Sequence, residues 1–321
     1  MSLSTSAAPQ HAVPPHRPRP RQSRGSSGGL TRFDLKFSPY LYIAPFFLLF
    51  GIFGLYPLIY TAWVSLHNWT LGGTHEWVGF QNYTDLFADA QFWQTMKNTI
   101  GIFLLSTVPQ LLLALFLATL LNRNLRGRTA LRMAIVIPNV TSVAAVAIVF
   151  GLLFSRDFGA INWFLGLFGV DAIDWRAHEW SSWTAISVMV DWRWTGYNAL
   201  IFLAAMQAIP RDLYESAAID GASQWRQFWQ ITLPLLRPTF LFIVIVSTIG
   251  GLQLFVEPLL FGNGRTNGGT THQFQTLTMY MYSEAFENSR FGYGSAIAWA
   301  MFLLIVVASM VNFLFVRKSV K

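Results

Sequence analysis

A chain of 321 residues that is 53% hydrophobic and 16% aromatic but only 12% charged departs from soluble-domain usage toward a polytopic membrane protein. It contains no cysteine, which excludes a disulfide framework, a thiol nucleophile and a zinc finger. The net charge of +7 lies in patches beside the apolar runs, which suits topology and contact with the lipid bilayer and argues against nucleic acid as a partner.

In chain order, residues 1–37 are rich in Pro, Ser, Gly and Arg, bury too little to offset the entropy of ordering, and are expected to form a disordered basic tail. The first apolar run continues to about Leu66, too long for a secretory signal. Six apolar segments follow, at 40–63, 100–121, 131–154, 183–209, 238–261 and 296–316. Each has about 20 residues or more, enough at about 1.5 Å per residue to cross a hydrocarbon core of about 30 Å. Only helices satisfy their own backbone there, so the expected fold is an all-α integral membrane protein of six transmembrane helices over 38–321. Of the 22 Lys and Arg, six lie in the tail, four in the loop after the second run, three in the polar loop near 209–237 and three at the C-terminus. With these 16 inside, both termini are cytoplasmic and the acidic residues avoid the span centres.

The loop after the fourth run reads "YESAAIDGASQWRQFWQITLPLLRP", residues 214–238. Pro210 suits the first turn of a helix, and Asp212 and Glu215 lie where the helix dipole favours negative charge. Gly221 can close that helix in the left-handed conformation, and Ser223 is placed to cap a second through Trp225, Phe228 and Trp229. Pro234 and Pro238 then break the chain. Neither helix is long enough to cross a bilayer. An amphipathic pair resting on lipid headgroups and a pair docked in a protein groove both fit the pattern, and the small Ser216, Ala217 and Ala218 favour the groove.

Glu215-Ser216-Ala217, three residues, Gly221, nine residues, then Ile231-Thr232-Leu233-Pro234 resembles the E-A-A, x3, G, x9, I-x-L-P motif of inner-membrane permeases of binding-protein-dependent, ATP-driven (ABC) importers, with Ser216 where the family usually has alanine. The resemblance covers nearly the whole chain after residue 37. Segments 77–99, 192–222, 250–264 and 291–305 look like the sugar branch, and the fourth and fifth runs look most like actinobacterial permeases for cellobiose-type oligosaccharides. It implies a coupling loop over about 209–237, with Glu215, Ser216, Ala217, Ala218, Asp220 and Gly221 docking on a separate ATPase. It further implies a second homologous permease, a dimeric ATP-binding subunit, an extracytoplasmic sugar-binding protein and a bacterial plasma-membrane location. ATP and Mg then belong to the partner, and this chain is expected to be no enzyme, with no catalytic residue, cofactor or metal of its own.

The residues agree with that expectation. No G-x-x-x-x-G-K-[ST] loop occurs, and both His-Glu-Trp triplets, at 75–77 and 178–180, lack the second histidine of a metalloprotease. The glycine-rich 262–269 reads as a flexible loop. Polar residues within spans are the default substrate contacts of a transporter. In the fourth run these are Trp194, Tyr197 and Asn198, with Asn198 about 18 Å from the inner end; Trp192 suits an interfacial belt, and Asn198 also suits a bond to a neighbouring helix. In the fifth they are Gln253 and Glu257, and the resemblance to maltose-type permeases, in which polar groups of these two spans contact sugar, implies a register near Gly250 and Gln253. A continuous helix from Arg237 puts Gln253 about 24 Å along and Glu257 about 30 Å along, near the external surface. The alternative is an ion-coupled secondary carrier, which calls for inverted repeats and ion ligands at the midplane that the sequence does not display. A membrane enzyme is weakened by the lack of an acid, base or metal cluster.

Overall fold

The computed structural model describes residues 28–73, 75–123 and 126–318 and divides into two compact units, 1–57 and 58–321. The first unit holds α1 (Gly28–Phe50), a π-helical turn at Gly51–Leu55 and the first residues of α2 (Tyr56–Val64). Residues 28–37, assigned from composition to the irregular tail, are helical instead. Leu30, Phe33 and Phe37 recur at helical spacing with no proline between Gly28 and Pro39, a pattern that outweighs the bulk composition. Residues 1–27, the rest of the expected disordered tail, lie outside the described residues.

The second unit opens with a two-stranded antiparallel pair, β1 (His67–Asn68) and β2 (Glu76–Trp77), followed by α3 (Gln81–Ala88) and the 32-residue α4 (Ala90–Leu121). After it come α5 (Arg128–Val140), α6 (Val143–Leu153), α7 (Ala160–Gly166) and α8 (Glu179–Gln207). The short α9 (Arg211–Ile219), α10 (Gln224–Gln227) and α11 (Leu233–Leu235) lead into α12 (Arg237–Leu252), α13 (Val256–Phe261), α14 (Leu277–Tyr282) and α15 (Phe291–Lys318).

The unit is built on α4 and α8, which run parallel. Gln94 bonds Glu179, the Ser187 hydroxyl donates to the Ile102 carbonyl, and Asn198 bonds Gln110, so sequence position advances together along both helices. One apolar cluster, with Leu111, Ala114, Phe202 and Leu236, fills the end toward the α8–α9 connection. Two others gather Phe150, Trp175, Ile186 and Phe261, and Phe92, Leu252, Leu277 and Ile297. Helix α5 crosses α8 so closely at Gly196 that a Cβ there falls 1.6 Å from the Ile135 carbonyl oxygen. Such small residues let helix backbones approach in membranes. Gly196→Ala is expected to cost about 3 kcal/mol or more, since backbone must shift to admit the methyl, and to cut the recovery of folded chain from detergent extracts. Wild-type yield and melting temperature in that variant rule out the contact.

Three helical stretches, Phe37–Val64, Ala90–Leu121 and Phe291–Leu314, are each long and apolar enough to cross a bilayer. The third apolar run is not the straight span its composition suggests: α5 and α6 meet at 91°. Pro138 removes an amide donor near the end of α5, and Thr141 is extended. The fifth run is also interrupted. Its helix ends at Leu252 and resumes only at Val256. Helix α8 is long enough but carries Asp191, Arg193 and Asn198 within it, so the expectation that acidic residues avoid span centres fails at Asp191.

Where α3 meets α4, Asp89 caps α4 by accepting the Gln91 amide at 2.8 Å and also accepts the hydroxyls of Tyr280 and of Tyr293, the latter at 2.9 Å. Burial pushes this carboxyl up, but the two hydroxyls and the Gln91 and Phe92 amides outweigh it, so its pKa lies below the ordinary 3.8. A depressed carboxylate stabilises the fold above its unfolded value and loses that contribution as pH falls through the folded one. The melting temperature should therefore drop on acidification below about pH 4, and Asp89→Asn should flatten the drop in a detergent-solubilised melt series.

Candidate functional site

Helices α4, α8 and the broken α12–α13 enclose a cavity of about 280 Å³. All six positions singled out in the fourth and fifth runs line it: Trp194, Tyr197, Asn198, Gly250, Gln253 and Glu257. On α8, spacings of three and four place Trp194, Tyr197 and Asn198 on one stripe. Trp194 and Tyr197 meet edge to face with centroids 5.9 Å apart, and Asn198 is buried, donating to Gln110 Oε1 at 3.1 Å. Asn198 thus bonds a neighbouring helix and borders the cavity at once. A Cβ on Gly250 meets nothing within 4 Å, so the glycine widens the space.

The interruption of α12 has a local cause. In a continuous helix the residue at 258 donates its amide to the Leu254 carbonyl, but Pro258 has none. That carbonyl accepts the Thr276 hydroxyl instead, at 2.9 Å. Poor helix formers at Gly250 and Gly251 precede the break. Among the described residues, the amides of Gln253, Leu254 and Phe255 donate to no protein acceptor, and the side chains of Tyr197 and Gln253 are also without hydrogen-bond partners.

The break redirects Glu257. It is 5% exposed and forms an ion pair with Arg193, itself 7% exposed. The Arg193 guanidinium also lies 5.8 Å from the Trp194 ring centroid. Arg193 Nε and Asp191 Oδ1 are buried without partners. Sequence reasoning missed Arg193, although a cation within an apolar run is itself a signal, since such a charge needs a partner. It also missed the wall contributed by α4, where Ser106, Thr107 and Gln110 face the cavity.

At the other polar region, α9 ends in a Schellman turn. Gly221 has φ +77°, its amide donates to the Ala218 carbonyl at 3.0 Å, and the Ala222 amide reaches the Ala217 carbonyl at 2.9 Å. Ser223 then caps α10, accepting the Arg226 amide at 3.3 Å. Pro210 stands as the N-cap, one residue outside the first turn expected for it. The second helix runs on through a π-helical stretch at Phe228–Thr232 to Leu235 and bends by 63° into α12, where Pro234 and Pro238 lie. The hydroxyls of Tyr214 and Thr232, 2.9 Å apart, tie the two short helices together. Glu215, Ser216, Ala218, Asp220 and Gly221 are exposed, Ala217 is half-buried, and Ile219 and Trp225 stand 88% and 71% exposed.

The glycine-rich 262–269, expected to be flexible, is instead tied down: Thr266 donates to Glu287 at 2.7 Å and its carbonyl accepts from the Gln275 amide group at 2.9 Å. Among the described residues, no group of three His, Asp or Glu could hold a metal ion. What the cavity offers is neutral hydrogen-bonding groups, an aromatic pair and one carboxylate, a set suited to a polyhydroxyl solute.

Residues 110–321 match the family model described as binding-protein-dependent transport system inner membrane component. The lactose transport system permease protein LacF of Rhizobium radiobacter is 35% identical over 283 residues, covering 87% of this chain and 94% of that one. The sulfoquinovosyl glycerol transport system permease protein SmoG of Agrobacterium fabrum is 35% identical over 281 residues, 86% of this chain and 89% of that one. The fold is similar to that of a chain in the crystal structure of a bacterial alginate ABC transporter in complex with an alginate pentasaccharide-bound periplasmic protein, with a TM-score of 0.75 and 21% identity over 91% of this chain and 98% of that one.

Proposed function

Since the chain belongs to the family of binding-protein-dependent transport system inner membrane components, we propose that it is the permease subunit of an ATP-driven importer of a di- or oligosaccharide of cellobiose type. The observation that carries the reading is the polar cavity set against an interrupted helix. Irregular backbone at membrane depth is tolerated where it lines a cavity, and bare amides beside Tyr197 and Gln253 suit sugar hydroxyls. At about 280 Å³ the cavity falls just below the ~300–1,000 Å³ of small-molecule sites, as suits half of a pathway completed by a second, homologous permease.

In this reading the three unbroken spans, the bent α5–α6, α8 and the interrupted α12–α13 make six crossings, with both termini in the cytoplasm. The α9–α10 turn is the coupling element, docking on a dimeric ATP-binding subunit that holds ATP and Mg, while an extracytoplasmic binding protein delivers the sugar. ATP binding favours one orientation of the cavity and hydrolysis the other, each ligand shifting the balance only by its differential affinity. The family does not favour an ion-coupled carrier.

Cells carrying or lacking this chain, fed labelled cellobiose, provide the test. Uptake should require the chain, survive a protonophore while ATP is held constant, and stop on ATP depletion. Uptake that collapses with the ion gradient at constant ATP returns the carrier reading.

A further inference from the structure

We propose that Glu257, pinned by Arg193, makes the cavity select uncharged sugars and reject anionic ones. The inference rests on the sugar-permease reading and specifies its substrate class. Ancestry leaves that class open, because the chain is equally similar to permeases named for lactose, a neutral sugar, and for sulfoquinovosyl glycerol, an anionic sulfo-sugar.

Among the described residues lining the cavity, Glu257 alone bears a formal charge. Its counter-ion is arranged asymmetrically. The Arg193 guanidinium is bonded to Glu257 Oε1 yet is absent from the lining, so the pair presents its negative end to the cavity and its positive end to the packed interior. An anionic solute entering here gives up hydration, meets no cation and faces a fixed carboxylate across a medium of low dielectric, where repulsion between like charges exceeds its value in water several-fold. A neutral sugar meets the opposite situation. Its hydroxyls donate to the carboxylate in charge-assisted bonds, and Tyr197 and Gln253 have unused hydrogen-bonding capacity. The ion pair also holds Glu257 in place, fixing where on the sugar a hydroxyl must lie.

The test uses the transporter assembled from this chain and its native partners, in lipid nanodiscs without the binding protein. Cellobiose and its size-matched uronic acid are titrated calorimetrically. The native assembly should bind cellobiose at least tenfold more tightly than the acid, a difference of about 1.4 kcal/mol. In Glu257→Gln the guanidinium behind the wall is no longer neutralised, and its positive field should invert the preference. In the double variant Glu257→Gln/Arg193→Met, which leaves no uncompensated charge and so guards against misfolding of the single variant, the ratio should fall to within about threefold of unity. A purely structural role for the pair leaves the ratio unmoved. Cellobiose binding with the same ratio in native and variant assemblies, or a native preference for the acid, overturns the proposal while sparing the permease reading. Binding of neither sugar by the native assembly overturns the proposal, and the permease reading is then decided by the uptake test above.

Discussion

Lysine in place of Glu215 is expected to lower ATP-driven sugar uptake at least tenfold while the chain still inserts and folds. Glu215 is exposed on α9 and its side chain makes no hydrogen bond or ion pair with any described residue, so the fold does not depend on its carboxylate. Everything around it is fixed. The Schellman turn at Gly221 ends the helix, Ser223 starts the next, and the Tyr214–Thr232 bond holds the two together, so the carboxylate stands at a set place on a rigid projection. Reversing a charge about 4 Å from a partner near a protein surface changes an interaction of about 4 kcal/mol in sign, more than enough for a tenfold loss of association. The measurement is co-purification of the ATPase together with uptake in cells matched for membrane content. Undiminished uptake with a normal level of the variant removes Glu215 from the coupling contact.

Arg193→Met is expected to destabilise the chain by about 3–5 kcal/mol, because it leaves the Glu257 carboxylate buried without its partner. Removing both charges in Arg193→Met/Glu257→Gln should restore most of that loss, since a buried pair replaced as a unit is close to neutral. Unfolding of detergent-solubilised single and double variants gives the comparison. A single variant as stable as the native chain shows that the two groups are not paired.

Local chemistry was legible in the sequence and long-range pairing was not. The helical turn could be assigned almost residue by residue because its determinants are contained within a few positions: a left-handed glycine, a capping serine and two prolines. The polar cavity residues could be found because polar groups inside apolar runs have few reasons to be there, whereas Gly250 came from the family resemblance. The interruption of the fifth run was hidden, although Pro258 was in view, because its effect depends on Thr276 taking the released Leu254 carbonyl 22 positions away. The Arg193–Glu257 pair bridges 64 positions, so neither residue reveals its partner locally. Ser106 and Thr107 gave little signal because small polar side chains on an apolar helix often bond their own backbone, as Ser106 does to Phe103, whereas Gln110 was as visible as Asn198 and was passed over.

The bare amides at Gln253, Leu254 and Phe255 carry a consequence for electrical insulation. Peptide groups without acceptors are too costly to leave dry, so water is expected on them when no sugar is bound, which makes the cavity a wet pocket in the bundle. The thickness that resists proton leak is then not that of the lipid. It shrinks to the packed cluster that includes Leu111, Ala114, Phe202 and Leu236 between the cavity and the α8–α9 connection, and that cluster is the expected insulator at this point.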